Sequence, residues 1–370
     1  MSYCAKHYKM KIHKTPFFKI NIKKVKKKYS NLQHSIKTLY RNDIIAFALK
    51  ANYDIKIIKL LKNLGSYFEI SSEYEFNLLQ KYNVDTKKII FGGVIINKKI
   101  LKKYIKAGIY LITDSINILK ELNDFGLEVE VGIRINLDYI KENNIHFYDR
   151  YSRFGIECSD IPSIKRFNNI KITCLHAHIP RHDKRPDEYF TITNELCNII
   201  KTFKLSHVKY IDIGGGFKVN KEYWQYVDYA KQVKKALVVN NMENITIIYE
   251  PGNSLVLDST KYITKVIDKK YLHNTQYIYT DGFKEHINHS GRNIINNYKI
   301  IRAKNTKKQN KEIDKQIIVG CSCRTNDILT IVEDSNEIQI GDYIEFRELG
   351  GYTQNRISNF LIRRPKIYYC

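Results

Sequence analysis

The chain has 370 residues, 43% of them hydrophobic, and a formal net charge of +24. That length suits one large domain plus a smaller one. No apolar run reaches a membrane span, and the basic start from Met1 to Lys14 lacks the apolar stretch of a secretory signal, so a cytoplasmic protein is expected.

The charge invites a nucleic-acid reading. Lysines, however, are spread along the chain among abundant Ile, Asn and Tyr, and only Lys23-Lys24-Val25-Lys26-Lys27-Lys28 is dense. No nucleic-acid-binding motif accompanies it, so the charge reads as solvated surface, with no nucleic-acid or membrane partner. The seven cysteines (4, 158, 174, 197, 321, 323 and 370) have no disulfide-scaffold spacing, which fits a reducing compartment. Cys321-Ser322-Cys323 lacks a second ligand pair, so no metal is expected.

In chain order, Thr15 to Asn21 is strand-like, and the basic run at 23–28 lies in an amphipathic helix with Ile22, Val25 and Tyr29. From about residue 40 to 255, short apolar runs alternate with helical periodicity. The expected strands are 44–48, 67–70, 88–91, 109–112, 129–135, 170–176, 210–213 and 245–249. Helices are expected at 54–64, 98–106, 115–122, 187–203 and 221–239. This alternation predicts an α/β architecture, a parallel (β/α)8 TIM-like barrel. Beyond residue 256 the runs at 261–267, 276–280, 299–303, 316–319 and 343–347 are β-type, separated by polar turns. They predict a mostly antiparallel β domain formed by 1–29 and 256–370, with the barrel spanning 30–255.

Lys50 follows the buried run Ile44-Ile45-Ala46-Phe47-Ala48, at the strand end where barrels keep their active sites. A partly desolvated lysine there loses its proton readily and can form a Schiff base. Asp212-Ile213-Gly214-Gly215-Gly216-Phe217 places three glycines after a buried strand and before a helix. Successive backbone N–H groups can then approach an anion closely.

Several segments in this order resemble the ornithine/diaminopimelate decarboxylase family, pyridoxal-phosphate enzymes with an alanine-racemase-like barrel and a β domain. Phe47-Ala48-Leu49-Lys50-Ala51-Asn52 is similar to the family's Tyr-Ala-Val-Lys-Ala-Asn. Phe68-Glu69-Ile70-Ser71-Ser72, with Glu75, is similar to Phe-Asp-Cys-Ala-Ser…Glu. Ser152-Arg153-Phe154-Gly155-Ile156 is close to Ser-Lys-Phe-Gly-Ile, and Leu175-His176-Ala177-His178-Ile179 to Leu-His-x-His-Ile. Glu250-Pro251-Gly252 and Gly350-Gly351-Tyr352-Thr353 also correspond.

The resemblance implies that Lys50 carries pyridoxal 5'-phosphate and that His178 stacks on its ring. Gly214, Gly215, Gly216 and Tyr352 are implied at the phosphate, and Glu250 at the pyridine nitrogen, where it keeps the ring an electron sink. Gly320-Cys321-Ser322-Cys323-Arg324-Thr325-Asn326-Asp327 resembles Gly-Pro-x-Cys-(Asp/Glu)-x-x-Asp. Cys323 then takes the role of the catalytic cysteine that reprotonates the α-carbon, and Asp327 that of the second acid, which orients the loop and is implied, with Arg324, among the substrate-binding residues. In the family this loop comes from a second subunit, which implies a homodimer with shared active sites.

Three departures stand out. Pro180-Arg181 replaces Gly-Ser, and Asn253 replaces an arginine after Glu-Pro-Gly; both lost residues contact phosphate in the family. Arg181 is expected to take over, since a guanidinium binds phosphate bidentately. The alternative is a decayed cofactor site in a catalytically inactive regulatory homologue. Arg324 replaces an acid that holds a basic substrate's distal charge, and a cation there repels a distal ammonium. The expected substrate therefore carries a distal carboxylate, as an acidic amino acid or a carboxylate-bearing conjugate of a siderophore or other specialised pathway. The alternative is a basic amino acid: diaminopimelate, ornithine, lysine or arginine. A racemase on the same barrel fits the Cys323 loop less well.

Overall fold

The computed structural model describes residues 13–39, 43–94, 98–137, 152–179, 184–218, 224–287, 296–303 and 312–370. Two compact units emerge: Lys23–Val256, and Met1–Ile22 together with Leu257–Cys370. The helix Ile22–Lys37 therefore runs with the first unit from its second residue, where it buries Val25, Tyr29, Leu32 and Ile36.

Strand β1 (Phe17–Ile20) precedes the barrel strands. These are β2 (Ile44–Ala48), β3 (Tyr67–Ile70), β4 (Ile89–Phe91), β5 (Tyr110–Thr113), β6 (Val129–Arg134), β7 (Ile170–His176), β8 (Tyr210–Asp212) and β9 (Thr246–Tyr249). They close in sequence order into a parallel barrel, with β2 pairing back to β9. Ala46, Ile90, Ile112, Cys174 and Ile248 form a buried cluster. Gly132 makes room for it, since a Cβ there would meet Ile112 Cγ1 at 2.8 Å and Cys174 Cβ at 3.1 Å. Such filling makes the barrel a solid core, which leaves its chemistry at the strand ends.

The connecting helices start where capping side chains satisfy free N–H groups. The Asp54 carboxylate accepts from Lys56 and Ile57, Ser72 from Glu75, and Ser115 from Ile118. Pro186 occupies the first turn of the helix Pro186–Thr202, where its missing N–H costs no bond, and Glu188 accepts the Arg185 N–H at 2.6 Å. The helix expected at 221–239 is described from Tyr226 to Asn240; residues 219–223 lie outside the described residues.

The second unit is one sheet of β10 (Thr260–Leu272), β11 (Thr275–Thr280), β12 (Tyr298–Ile301), β13 (Glu312–Val319), β14 (Ile328–Asn336), β15 (Tyr343–Phe346) and β16 (Lys366–Tyr369), joined by β1. Its order is β12-β15-β10-β11-β13-β14, with β1 between β10 and β16. Most pairs are antiparallel; β11–β13 and β1–β16 are parallel. Its core packs Phe18, Tyr262, Ile278, Ile318, Ile344 and Phe346. Strands β14 and β16 were not expected, and β10 runs five residues past Ile267 to Leu272. No helix among the described residues is long and apolar enough to cross a membrane.

Candidate active site

The carboxyl ends of six barrel strands bring titratable side chains to one mouth, as parallel barrels do. Lys50 follows β2 in the short helical turn Leu49–Ala51. Its Nζ donates to Glu69 Oε2 at 2.5 Å and to Ser71 Oγ at 3.4 Å. Ser71 Oγ donates in turn to Glu69 Oε1 at 2.9 Å, so the carboxylate is held from both sides. Behind it, Glu75 accepts the Ser71 N–H at 2.7 Å and the Tyr53 hydroxyl at 3.1 Å. Burial raises the Glu75 carboxyl above its ordinary range.

From β7, His176 and His178 point into the same mouth with their rings 18° from parallel and 6.5 Å apart. His178 Nδ1 accepts the Gly215 N–H at 3.2 Å. The proton of the neutral ring therefore sits on Nε2. Burial holds His178 well below the usual histidine range, with the Lys184 and Arg134 charges pushing the same way. His176 is lowered to about 4, chiefly by burial, and its Nδ1 lies 3.0 Å from Asp212 Oδ1.

Two further acids share this ground. Asp212, fully buried, is raised to about 7 by desolvation, although it accepts the Gly214 N–H at 2.9 Å. Glu250 is pushed well above its ordinary value by burial, then by the Asp212 and Glu69 charges. Candidate ligand atoms of His176, Asp212 and Glu250 lie within 4.8 Å of one another. Such a cluster favours a positive charge placed among its carboxylates.

The glycine turn closes the mouth. Gly214 and Gly216 have φ of 65° and 100°, a region that L side chains avoid. A Cβ on Gly214 would strike the His178 ring, and one on Gly215 the Glu250 carbonyl. The Glu250 N–H donates to the Gly214 carbonyl at 3.0 Å, and the Ala48 N–H to the Pro251 carbonyl at 3.1 Å, which ties this corner to β2.

The structure thus brings Lys50, His178, Gly214, Gly215, Gly216 and Glu250 onto one barrel mouth. Arg181 lies outside the described residues. Sequence reasoning missed Arg134. Arg134 ends β6, donates through Nη2 to the His178 carbonyl at 3.3 Å and lies over the Phe154 ring at 4.6 Å. A cation closing an apolar strand was the available signal.

In the second unit, the loop between β13 and β14 is organised by Asp327. Its Oδ1 accepts the Lys284 N–H at 2.8 Å, and its Oδ2 accepts the Ser322 N–H at 3.0 Å and hydroxyl at 2.6 Å. Asp327, expected among the substrate contacts, spends both oxygens on holding this loop. Cys323 and Arg324 stand exposed on it. Arg324, expected at the substrate's distal end, donates through Nη1 to Glu285 Oε1 at 2.8 Å. Tyr352 is half-buried at φ 55°, an uncommon conformation for a non-glycine residue.

A (β/α)8 barrel with a strand-end lysine, a buried acid cluster and a glycine turn defines an enzyme of the cofactor-binding barrel class. The chain belongs to the pyridoxal-dependent decarboxylases: the family model described as "Pyridoxal-dependent decarboxylase, pyridoxal binding domain" matches residues 22–257. It is 27% identical over 376 residues to a diaminopimelate decarboxylase of Helicobacter pylori, covering 96% of this chain and 89% of the relative. A diaminopimelate decarboxylase of Buchnera aphidicola is 28% identical over 355 residues, covering 89% and 83%. Among solved structures, the H. pylori diaminopimelate decarboxylase complexed with L-lysine superposes with a TM-score of 0.80 at 24% identity, covering 97% of this chain and 92% of that one. The enzyme is a carboxy-lyase that uses pyridoxal phosphate.

The barrel mouth fits that cofactor. Its protonatable ring nitrogen matches the clustered acids Asp212 and Glu250, its aldehyde an amine such as Lys50, and its phosphate a turn too tight for any Cβ.

Proposed function

We propose that the chain is an α-decarboxylase of a basic amino acid whose far end bears both an ammonium and a carboxylate, as diaminopimelate does. The observation that carries this reading is the Arg324–Glu285 pair beside Cys323, which presents one charge of each sign. An unpaired Arg324 would favour a distal carboxylate alone. Paired at 2.8 Å, the guanidinium matches a carboxylate while Glu285 matches an ammonium. The relatives named diaminopimelate decarboxylase support the same choice.

In this reading Lys50 Nζ holds the cofactor, and Glu69 takes up the proton that Nζ must lose to do so. His178, neutral and fixed by the Gly215 N–H, presents a ring face without adding positive charge. Glu250, with Asp212 behind it, supplies negative charge for a cationic ring. When bound, pyridoxal phosphate supplies the electron sink that lets the α-carboxylate leave as carbon dioxide. Cys323 of the partner subunit then delivers a proton to the α-carbon, which makes the functional unit a homodimer.

Carbon dioxide release from purified enzyme, assayed across diaminopimelate, lysine, ornithine, arginine and glutamate, tests the reading. The highest kcat/KM is expected with diaminopimelate. A preference for glutamate or for a polycarboxylate conjugate would overturn it.

A further inference from the structure

We propose that Asp212 is the positioning partner of Glu250: the two buried carboxyl groups hold a single proton between them, and Asp212 keeps it when Glu250 faces the cofactor's ring nitrogen. The inference rests on pyridoxal phosphate occupying the barrel mouth.

Neighbouring strands deliver the groups involved. Arg134 ends β6, His176 ends β7 and Asp212 ends β8, each in register with the next, and Glu250 directly follows β9. The Asp212 and Glu250 side chains are hydrogen-bonded to each other. Ionised carboxylates only accept, so a bond between two of them requires a proton on one.

The surroundings ask for one proton. Asp212 Oδ1 accepts the Gly214 N–H at 2.9 Å and lies 3.0 Å from His176 Nδ1. Its Oδ2 is equally buried and receives no donor among the described residues. Two ionised acids would leave that oxygen bare and set two like charges side by side away from water. A proton in the bond between them relieves the repulsion, as it does in paired carboxyls that share one site. The other titratable groups acting on the pair are Glu69, Lys50, Arg134, His176 and Cys174. Burial raises Asp212 to about 7 and lifts Glu250 well above its ordinary range, which agrees with a proton retained here.

Which acid holds the proton is decided by the charge that each one meets. Only Glu250 keeps any exposure, 8% against none, so a bound ring nitrogen reaches it and not Asp212. A protonated ring nitrogen favours the ionised form of the acid it touches, and a hydrogen bond donated by Asp212 favours that form further. Glu250 then offers the ring a full negative charge. Asp212 acts through Glu250 and not by its own charge.

Infrared difference spectra of cofactor-free protein test the shared proton at about pH 6, where ordinary carboxyl groups are ionised. Wild type should show a neutral-acid carbonyl band that disappears in Asp212→Asn and equally in Glu250→Gln, since either amide can donate to the carboxylate that remains. A spectrum that changes in neither variant, or in only one, would overturn the inference. With pyridoxal phosphate bound, isotopic labelling of the aspartate side chains should shift this band; a band that stays in place would put the proton on Glu250 and overturn the inference as well. Binding gives a second readout. Asp212→Asn should keep pyridoxal phosphate affinity within about threefold, whereas Asp212→Ala should lose about ten- to a hundredfold, the worth of one hydrogen bond to a charged group. Where the Ala variant does not accumulate folded, Asp212→Val should give the same contrast. Equal weakening in the Asn and Ala variants would mean that Asp212 acts by its own charge, against the inference. Wild-type protein that shows the infrared band yet binds no pyridoxal phosphate would overturn the cofactor reading itself, a distinct result.

Discussion

The Glu69 carboxylate meets the Lys50 ammonium at 2.5 Å, and only Glu69 is shut off from solvent, at 3% side-chain exposure against 41% for Lys50. The buried partner is thus fixed by β3 and Ser71, while the amine stands at the mouth. Lysine attacks a carbonyl only after losing a proton, and the acceptor is already in contact. Removing that acceptor should slow cofactor capture. Glu69→Gln is expected to lower the rate of the absorbance change on mixing with pyridoxal phosphate by about a hundred- to ten-thousandfold, as for a lost general base. Borohydride reduction followed by peptide mapping should place the label on Lys50, and a label on another lysine ends the assignment.

The glycine turn yields a second expectation. Gly214 has φ 65°, and a Cβ there would run into the His178 ring. Gly214→Ala carries both a backbone penalty of about 1–2 kcal/mol and a displaced histidine. Cofactor affinity should fall by at least about tenfold on the same scale of loss. A variant that binds pyridoxal phosphate as the wild type does would show that the turn tolerates a side chain.

Asp43, just before β2, gives a test independent of catalysis. Burial raises its carboxyl from 3.8 to about 7, although it accepts the Ile247 N–H at 3.3 Å. An acid whose folded value lies above its unfolded value keeps its proton longer when folded. Its contribution to stability therefore falls as pH rises from 3.8 to about 7 and stays lowest above that. Asp43→Asn, which keeps an acceptor for Ile247, should stabilise the protein at pH 8 by on the order of 2 kcal/mol, or about 4–8 °C in Tm. The gain should shrink steadily towards pH 4.5. Equal gains at both pH values would mean that the charge is not the cause.

How far the site could be read in advance depended on whether a residue ended an apolar run. Lys50, His178 and Glu250 each close a buried strand of β-branched and aromatic residues, and family motifs surround them. Arg134 was hidden because Ile133 and Ile135 flank it and the expected strand ran through it. Lys184 was hidden among charges, since its backbone bridge to Phe217 joins segments distant in sequence. In the second unit, β14 escaped notice because its later half, Glu333-Asp334-Ser335-Asn336, is polar, although it pairs with β13 through Glu312. Edge strand β16 depends on its pairing with β1, more than three hundred residues earlier, which no local pattern encodes. The Arg324–Glu285 pair shows the same limit: the sequence displays a charge reversal but not the partner that neutralises it.

Assembly can be tested by complementation. If Cys323 serves the partner's barrel, Lys50→Ala and Cys323→Ala homodimers are each impaired, yet a mixed dimer holds one site with both groups. An equal mixture allowed to exchange subunits should regain about a quarter of wild-type activity, since about half of the dimers are mixed and each has one of two sites intact. Exchange without recovery would mean that each chain supplies its own cysteine or needs none.

The last expectation concerns the charge pair that carries the substrate reading. With diaminopimelate, Arg324→Ala should lower kcat/KM by about ten- to a hundredfold through a lost carboxylate contact. With lysine or ornithine, which have no distal carboxylate, the loss should be much smaller. Glu285→Gln should reverse the pattern, harming every substrate with a distal ammonium. Arg324 is joined to Glu285 at 2.8 Å, so each single change also frees its partner. The double variant separates the two effects: if the residues act only on each other, it should restore what each single change loses. Should neither single variant alter the ranking of substrates, the pair is a surface ion bridge and another residue reads the distal end.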